Sequence, residues 1–340
     1  MRDLVIAGGG PVGLATALYA TRAGLDVVVH EPRVGIIDKA CGEGLMPGAV
    51  RALADLGIDP PGQNLDGIRY LDGDTTVEAA FADGPGRGVR RTALHDALRT
   101  AVAAAGVPVE QRPVTAITQA DDHVVVDGIP VRYLVAADGL HSPTRRALGL
   151  ETKASGSRRY GLRAHAEVAP WTDHVEVHWG GAAEAYVTPV GQGLVGVALL
   201  TTTRAPFDAQ LAPFKDLRRR LAGLDLAPVR GAGPLLQRST ARVAGRVLLV
   251  GDASGYVDAL TGEGIALELA QARAAVTAIA ADTPQAYEPD WHRITWRYRL
   301  LTSALLGATR RAPVRRRLVP AAAALPSVFA AAVNELARPA

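Results

Sequence analysis

Short, continuous apolar runs recur along the chain, and segments with a helical spacing of apolar residues lie between them. The runs cover residues 4–7, 27–29, 133–137 and 247–250, and the helical segments cover residues 11–18, 91–102 and 265–281. Continuous apolar runs are typical of strands that are buried on both faces of a parallel sheet. Their alternation with helices therefore predicts an α/β protein built on a mostly parallel sheet.

The pattern changes between residues 160 and 203, where apolar and polar positions alternate. Alternation is typical of strands with one buried face, so we expect an antiparallel sheet whose other face meets solvent. Residues 68–71 and 75–79 flank an Asp72-Gly73 turn signal and predict a hairpin. We expect residues 207–224 to form one amphipathic helix, and residues 284–340 to be helical.

The first apolar run leads directly into a glycine-rich turn. Gly8, Gly10 and Gly13 hold the three positions of a G-x-G-x-x-G dinucleotide fingerprint, and a helical segment follows them. The glycines permit a tight turn, a close approach of the backbone to a pyrophosphate and close packing of helix on strand. Glu31 ends the second run, at the position where an acidic residue accepts hydrogen bonds from a ribose. A carboxylate there disfavours a 2′-phosphate, so the expected nucleotide is FAD or NAD.

A second G-x-G-x-x-G sequence occurs at residues 191–196, but β-branched residues and three threonines follow it instead of a helix. This copy is therefore interpreted as a hairpin turn and not as a nucleotide site. With a single dinucleotide-binding unit, a second nucleotide would bind only transiently.

Composition excludes several classes of protein. The chain has 340 residues, enough for two subdomains, and its formal net charge of +3 gives no nucleic-acid signature. One cysteine, Cys41, excludes a disulfide framework within the chain. The chain enters a strand at once, which leaves no room for a signal peptide, and no apolar stretch approaches the ~20 residues of a membrane span. We therefore expect a cytoplasmic protein that binds no nucleic acid.

Arginines concentrate near the C-terminus, where nine of them stand against three acidic residues from residue 283 onwards. The densest part contains Arg310, Arg311, Arg315, Arg316 and Arg317. Two interpretations remain open. The arginines form a solvated helical face, or they contact an anionic carrier protein, a phosphorylated substrate or a membrane surface.

Two further motifs agree with the glycine fingerprint. Residues 137–145 follow the pattern D-G-x-x-S-x-x-R, and residues 251–255 read Gly-Asp-Ala-Ser-Gly. Together, the three motifs resemble those of FAD-dependent monooxygenases of the para-hydroxybenzoate hydroxylase type and their relatives, the geranylgeranyl reductases and flavin halogenases. The resemblance covers about residues 1–280.

The resemblance implies a Rossmann-like FAD-binding domain of the glutathione-reductase type, assembled from residues 1–65, 88–158 and 240–283. It also implies an antiparallel β-sheet substrate domain, from residues 66–87 and 159–239, and C-terminal helices over residues 284–340. FAD is expected to bind non-covalently, with NAD(P)H as a transient electron donor. The family places an arginine near the pyrophosphate, where Arg91 stands, and an aspartate on the ribityl chain, where Asp252 stands. The expected cofactor-binding residues are Gly8, Gly10, Pro11, Val12, Gly13, Glu31, Pro32, Arg33, Cys41, Gly42, Gly44, Leu45, Arg91, Val114, Asp138, Gly139, Ser142, Gly251, Asp252, Gly262, Gly264 and Ile265.

The motifs leave the branch of this superfamily open. Residues 41–45 and 256–264 favour the reductases and halogenases. However, the halogenase W-x-W-x-I-P motif is absent, the reductase Y-x-W-x-F-P motif lacks its tryptophan at residues 186–189, and Ala259 replaces a proline common in monooxygenases. We expect an NAD(P)H-dependent monooxygenase that hydroxylates or epoxidises a small apolar or aromatic substrate, such as a secondary metabolite, through a flavin hydroperoxide. The alternatives are a reductase of carbon–carbon double bonds in a prenyl-like chain and a non-catalytic flavin-binding protein.

The candidate catalytic residues are Cys41, Glu43 and Glu263. Cys41 is either a small residue in a tight loop or a thiol that shapes the pocket or transfers a proton. The carboxylates expected near the flavin ring are Glu43, Asp258 and Glu263, although Glu263 also fits an acidic residue that satisfies a helix dipole. A metal site is not expected, because His174, Glu176 and His178 lack the helical H-E-x-x-H spacing.

Overall fold

The computed structural model describes residues 1–153 and 158–338. The expected domain boundary at residues 158–159 adjoins residues 154–157, and the expected helical segment 284–340 includes residues 339–340. Both of these short stretches lie outside the described residues.

Strands and helices alternate through the first half of the chain, and helices dominate the last quarter. The strands are β1 (Arg2–Ala7), β2 (Val27–His30), β3 (Gly44–Leu45), β4 (Gln63–Leu65), β5 (Gly67–Asp72), β6 (Thr75–Ala80), β7 (Gly86–Gly88), β8 (Val109–Glu110), β9 (Ile117–Gln119), β10 (Val124–Val126), β11 (Ile129–Ala136), β12 (Glu151–Thr152), β13 (Tyr160–Ala166), β14 (His174–Trp179), β15 (Ala183–Gly191), β16 (Leu194–Thr201), β17 (Arg230–Ala232), β18 (Arg238–Ser239), β19 (Val243–Ala244) and β20 (Val247–Leu249). The α-helices are α1 (Pro11–Arg22), α2 (Pro47–Asp55), α3 (Arg91–Ala104), α4 (Pro143–Ala147), α5 (Phe207–Leu211), α6 (Lys215–Leu221), α7 (Gly264–Ala280), α8 (Tyr287–Thr309), α9 (Ala312–Ala324) and α10 (Pro326–Ala337).

The first sheet is the mostly parallel one that the apolar runs predict. Its strand order is β8-β2-β1-β11-β20-β19, in which the steps from β8 to β20 are parallel and β19 is antiparallel. The antiparallel pair β9-β10 extends from β11. On one face, α1 packs against α3 and α7, and small side chains such as Ala15 and Ala17 let these helices approach closely. The carboxyl ends of β1, β2, β11 and β20 therefore meet at one edge, where ligands of such sheets bind.

The second sheet has the order β17-β13-β16-β15-β14-β5-β6. The hairpin predicted around Asp72-Gly73 is confirmed as β5-β6, and the turn between β15 and β16 confirms that residues 191–196 form a hairpin. One pair, β14-β5, is parallel, because β5 enters the sheet from a distant part of the chain. The sheet is therefore mixed rather than wholly antiparallel.

The prediction that this sheet has a solvated face is wrong. Phe207, Phe214 and Leu217 cover one face of the central strands, and Val319 and Phe329 from the C-terminal helices pack against the other face. Alternation along a strand shows which residues share a face, but it cannot show that a later segment of the chain will cover the second one.

The single helix predicted over residues 207–224 is also wrong, because α5 ends at Leu211 and α6 begins at Lys215. Pro213 lies between them. Proline has no backbone N–H to donate and disfavours a helical conformation of the preceding residue, so it interrupts the helix. The apolar face nevertheless continues across the break, since Phe207 and Leu217 belong to the same core cluster.

The C-terminal helices pack against one face of the second sheet. Helix α8 packs on α7, α9 packs on α8 and β6, and α10 packs on β6. Within the described residues, no single helix has both the length and the apolar character to cross a bilayer. Helices α9 and α10 meet these criteria only when they are joined, and a 102° bend separates them.

Candidate functional site

The glycine turn joins β1 to α1 at the edge of the first sheet. A Cβ atom at Gly13 would lie 1.9 Å from the carbonyl oxygen of Gly8, so only glycine permits this contact of helix and strand. The space beside Gly10 is open, since the nearest heavy atom, Nη2 of Arg91, would lie 4.0 Å from a Cβ atom there. Helix α1 then begins at Pro11, with its free backbone N–H groups facing this space. The turn and helix form an anion-binding end of the kind that holds pyrophosphates.

Glu31 lies beside the glycine turn as expected. Its carboxylate accepts a hydrogen bond from the backbone N–H of Gly9 at 2.8 Å and from the side chain of Arg33 at 2.7 Å. Burial alone would raise the pKa of Glu31, but the hydrogen bonds from Arg33 and Gly9 hold it below the usual value. The ionised carboxylate is a strong acceptor for the hydroxyls of a ribose.

His95 was not counted among the expected cofactor-binding residues. Its Nε2 contacts the carbonyl oxygen of Gly9 at 2.9 Å, and its Nδ1 accepts from the backbone N–H of Ile37 at 3.2 Å. These partners require the neutral tautomer with the proton on Nε2, which agrees with a pKa lowered by burial. His95 thus fixes the glycine turn to the loop that follows Glu31.

The Asp138 motif joins two parts of the site. Asp138 accepts from the backbone N–H of Thr144 at 3.0 Å, and Ser142 caps α4. The guanidinium of Arg145 is fully buried and donates to the carbonyls of Leu140 and Ala253, each at 2.9 Å. The motif arginine therefore fixes the Asp138 loop to the Gly251–Ser254 turn, which is a positioning role.

Two carboxyl groups meet where β20 ends. Asp252 and Glu268 share a side-chain hydrogen bond, with the charges of Lys39 and Arg91 close by. Burial raises the pKa of both groups, that of Glu268 to about 8. A carboxyl pair in such surroundings holds a proton at neutral pH. Asp252 was expected here from its motif, whereas Glu268, inside α7, carries no signal that the sequence analysis used.

These residues fit an FAD molecule. Nε of Arg91 and Oδ1 of Asp138 are buried without a hydrogen-bond partner among the residues that the structure describes, although buried polar groups are normally paired. Arg91 lies beside the open space next to the glycine turn, and Asp138 follows the end of the neighbouring strand β11. Gly10, the start of α1 and Arg91 would hold the pyrophosphate, Glu31 the adenosine ribose and Asp252 the ribityl chain. The start of α7 would face the flavin ring.

A loop from Arg33 to Met46 connects this cofactor site to the second sheet. Glu43 adopts a left-handed backbone conformation, with φ of 60°, and its side chain is only 1% exposed. Its carboxylate accepts from the backbone N–H of Arg91 at 2.8 Å and contacts Nε2 of His165, on β13, at 2.7 Å. The Glu43 carboxylate is therefore fully engaged in joining α3 to the second sheet.

Two more contacts fix the same loop. Asp38 pairs with Arg163 of β13, and the hydroxyl of Thr188 on β15 donates to the carbonyl oxygen of Gly42 at 2.9 Å. Arg163 also contacts the ring of His165 at 3.1 Å. Neither Arg163 nor His165 belongs to a recognisable motif, and the sequence analysis did not identify them.

Cys41 lies at the centre of this loop. Its Sγ atom accepts a weak hydrogen bond from the backbone N–H of Glu43 at 3.4 Å. Burial raises the pKa of the thiol, and the charges of Arg91, Glu43 and Glu268 act on it. Cys41 therefore keeps its proton at neutral pH. Its neighbours in the loop reach both parts of the molecule, since Gly42 binds Thr188 of β15 and Glu43 binds the backbone of Arg91.

Glu263 immediately precedes α7 and does not cap it with its side chain. Burial raises the pKa of this carboxyl to about 8, with one hydrogen bond from the hydroxyl of Thr261 at 3.4 Å. A protonated Glu263 carries no charge for the helix dipole at neutral pH. Its position at the start of α7 is where the flavin ring is expected.

An apolar core cluster lies between the second sheet and the C-terminal helices. Tyr186 donates from its hydroxyl to the carbonyl oxygen of Leu260 at 3.1 Å, which links the cluster to the segment before α7. The side chains that pack together there include Met46, Ile68, Tyr70, Val177, Trp179, Tyr186, Leu200, Leu235, Leu260, Val319, Phe329 and Val333.

A buried charge network joins the second sheet to α9 and to the segment before α7. Arg159 contacts Glu184 at 2.6 Å and Asp258 at 3.0 Å. Burial raises the pKa of Asp258 to about 6. Arg315 reaches Glu184 at 3.4 Å from α9. Because Arg315 pairs inside the protein, it does not belong to the exposed arginine surface in which the sequence analysis placed it.

The remaining expected residues lie in several surroundings. Pro32 is exposed, Gly44 and Leu45 form β3, and Val114 packs against the valines on the far face of the first sheet. Glu176 binds Arg69, Trp171 and His178, and no cluster of metal-ligating residues occurs among the described residues.

Known proteins similar to this chain agree with the geometry. Residues 1–205 match the family model of the FAD binding domain. Menaquinone reductase from Mycolicibacterium smegmatis is 34% identical over 326 residues, which cover 85% of this chain and 79% of the relative. Digeranylgeranylglycerophospholipid reductase 1 from Methanothermobacter thermautotrophicus is 27% identical over 293 residues, or 77% of this chain and 73% of the relative. A flavoprotein/dehydrogenase from Cytophaga hutchinsonii has the same fold, with a TM-score of 0.78, 17% identity and coverage of 98% and 96% of the two chains.

The fold and the site define an FAD-dependent oxidoreductase. The chain belongs to the FAD binding domain family, whose model covers more than half of it. The resemblance to the superfamily of FAD-dependent monooxygenases and geranylgeranyl reductases is thereby confirmed.

Proposed function

We infer that the protein is a reductase that saturates a carbon–carbon double bond in the apolar chain of an isoprenoid lipid. The position of Cys41 carries this proposal. The charges of Arg91 and Glu268 of the cofactor site act on the thiol, and the next residue, Gly42, is bound to Thr188 of the second sheet. The loop that carries the protonated thiol therefore joins the cofactor site to the sheet on which the apolar cluster packs.

The apolar cluster matches a chain of hydrocarbon units in its chemistry. Its side chains are aliphatic and aromatic, and the rings of Tyr70, Trp179 and Phe329 pack with centroids 4.8 to 5.5 Å apart. A substrate that packs among such side chains is apolar, because burying hydrocarbon removes it from water. The similar proteins named as reductases of menaquinone and of a digeranylgeranyl lipid support a substrate of this class.

Saturation of a double bond adds one hydride and one proton across the two carbons. Reduced FAD, held by Gly10, Glu31, Arg91 and Asp252, would supply the hydride. Cys41 donates the proton and recovers one from solvent after the product has left. Glu43 and His165 hold the loop in place, and the apolar side chains exclude water from the reacting carbons. We include NAD(P)H as the reductant that restores reduced FAD.

Anaerobic turnover tests the proposal. FAD-loaded protein is reduced, mixed without oxygen with a water-soluble quinol that carries a short prenyl tail, and followed by flavin absorbance and product mass. The quinol is used because its ring, unlike that of a quinone, cannot reoxidise the flavin. We expect reoxidation of the flavin together with a product that has gained two hydrogen atoms. If reoxidation requires oxygen and the product gains an oxygen atom, the enzyme is the monooxygenase that the motifs first suggested, and the reductase proposal is wrong.

Two variants test the thiol. Cys41→Ala is expected to bind FAD as the wild type does and to lower the anaerobic rate by about 10²-fold or more, which is the usual contribution of a positioned acid. Cys41→Ser has nearly the same size and separates the loss of the proton donor from a change in packing. Unchanged turnover by Cys41→Ala, together with unchanged FAD affinity, contradicts the assigned role.

A further inference from the structure

Helix α8 presents an apolar stripe to solvent. Trp296 is 52% exposed and Leu300 is 59% exposed, although both are large apolar side chains. Ser303, Ala304 and Gly307 continue the stripe along the helix and are also exposed. At 100° per residue, these five positions fall within about 100° of arc on one side of the helix. The opposite side contains buried Trp291, Thr295, Tyr298 and Thr302.

Arginines frame this stripe. Arg297 and Arg299 lie on its two sides, and Arg293 and Arg310 lie at its two ends, about 25 Å apart along the helix. The guanidinium of Arg297 stands over the ring of Trp296, 5.5 Å from its centroid. We call these four arginines and the stripe between them the α8 face.

The surroundings of the α8 face are strongly basic. From residue 283 onwards the sequence contains nine arginines and three acidic residues, of which Glu335 binds Arg297 at 2.6 Å and Asp290 binds Arg293 at 2.9 Å. Four arginines of this region are exposed and take part in no ion pair with the described residues, namely Arg310, Arg311, Arg316 and Arg317. Their charge is therefore available to an anionic partner.

Exposed apolar side chains also concentrate in this part of the molecule. Among the described residues, six of the twelve large apolar side chains with high exposure lie between residues 296 and 328. Single exposed apolar residues are common, but Trp296, Leu300 and Leu301 lie within two turns of one helix, and a group of this kind is typical of an interaction site. The six are Trp296, Leu300, Leu301, Val314, Leu325 and Val328.

We propose that the α8 face docks on the surface of a membrane that contains anionic phospholipids. An apolar stripe flanked by basic residues is the pattern of a helix that lies in the plane of the interface. Tryptophan is favoured at that depth, and arginine binds phosphate groups with two parallel hydrogen bonds. A second copy of the chain fits less well, because a two-fold contact would place arginines against arginines.

The purpose of this docking rests on the proposed function. A lipid with a long isoprenoid chain resides in a bilayer, so an enzyme that acts on it must collect it there. Side chains of α9 and α10, which follow α8 directly in the chain, pack in the apolar cluster. Docking through α8 therefore brings the helices that cover this cluster to the membrane surface.

Flotation of FAD-loaded protein with vesicles tests the proposal. The vesicles contain either phosphatidylcholine alone or phosphatidylcholine mixed with phosphatidylglycerol. We expect flotation with the mixed vesicles to exceed that with the neutral vesicles by about tenfold, and to decrease in high salt because the Debye length shortens. Equal flotation with both vesicles, or flotation with neither, overturns the proposal.

Matched variants locate the surface. Trp296→Glu combined with Leu300→Glu should lower flotation about tenfold, whereas Ile129→Glu, at an equally exposed apolar residue on β11, should not change it. Arg310→Glu with Arg311→Glu should act similarly, in contrast to Arg218→Glu with Arg219→Glu on α6. If the first double variant fails to bind FAD, the arginine variants decide alone. Unchanged flotation of the α8 variants contradicts the assignment.

Two further results separate docking from catalysis. If the protein saturates the prenyl tail of the water-soluble quinol but does not float with anionic vesicles, the docking proposal fails and the proposed function stands. If it floats but reduces no double bond, the proposed function fails and the docking surface stands. Dimers of the wild type that dissociate on introduction of Trp296→Glu, without vesicle binding, would show that a second copy covers the face.

Discussion

The glycine turn at residues 8–13 and the buried charge network around Glu184 are built in different ways. The turn depends on backbone atoms, and its partner Glu31 lies 22 residues away in the chain. The network depends on side-chain charges, and its members Glu184 and Arg315 are 131 residues apart. A backbone site fails when a side chain is added, whereas a charge network fails when one charge is removed. The two regions therefore respond to opposite kinds of substitution.

Removal of one charge from the network should give the largest loss of stability. Glu184→Gln leaves Arg315 without its buried carboxylate and removes one of two partners from Arg159. Breaking a buried ion pair in this way typically costs about 3–5 kcal/mol in the free energy of unfolding. Urea unfolding of the purified variant measures the loss.

The control for Glu184 is Glu78→Gln. Glu78 binds Arg69 at 2.6 Å, but its side chain is 48% exposed, and an exposed pair contributes only about 0–1 kcal/mol. Similar losses for the two variants would show that burial does not distinguish the network from an ordinary surface pair.

Two glycine substitutions should separate the fold of the turn from its ligand binding. Gly13→Ala places a methyl group against the carbonyl oxygen of Gly8 and should lower the stability of the cofactor-free protein by about 1–3 kcal/mol, as overpacking does. Gly10→Ala meets open space in the protein, so it should leave that stability unchanged but weaken FAD binding. Thermal unfolding without FAD and fluorescence titration with FAD measure the two effects.

The contrast between these glycines is the informative result. If Gly10→Ala binds FAD with wild-type affinity, the backbone at Gly10 does not approach the pyrophosphate, and the position of the cofactor proposed above is wrong. Equal stability losses for the two variants would instead show that the whole turn is intolerant of side chains.

The effect expected from Glu263 should depend on pH. Burial raises the pKa of this carboxyl to about 8 in the folded protein, so between roughly pH 4.5 and 8 the folded state binds a proton that the unfolded state has lost. Stability from this group is therefore present at low pH and lost as pH rises through about 8. Glu263→Gln does not titrate, so it should gain several degrees in Tm over the wild type near pH 8.5.

A matched exposed residue isolates this effect. Glu167→Gln, on the surface after β13, should leave the pH dependence of Tm in the cofactor-free protein unchanged. A difference between wild type and Glu263→Gln that is constant from pH 5 to about pH 8.5 would show that the substitution acts through packing and not through the proton.

The fold was predictable where a local pattern is sufficient to define an element. The run at residues 4–7, the glycines after it and the helical spacing that follows specify β1 and α1. The Asp72-Gly73 turn likewise specifies β5 and β6. The second sheet was predicted less well. Neither face of its central strands is solvated, because α5 and α6 cover one face and the C-terminal helices cover the other. No property of the strands shows which later segments will cover them.

The candidate site divides in the same way. Glu31, Arg91 and Asp252 were identified because each lies in or near a motif with a fixed relation to a strand end. Glu268 and His165 were missed, since an isolated histidine or glutamate in a helix or strand has no distinguishing neighbours in the sequence. They belong to the site because their hydrogen bonds reach residues 16 and 122 positions away.

The sequence by itself determined the class of cofactor, because glycines that admit a pyrophosphate and an acid that accepts from a ribose act over short distances in the chain. Only the tertiary structure decided how the loop of Cys41 and Glu43 is held and which arginines face solvent. Glu43 gains its role from His165, and Arg315 loses its surface position to Glu184. Burial and charge pairing depend on everything that packs around a side chain, and that packing is established only when distant segments meet.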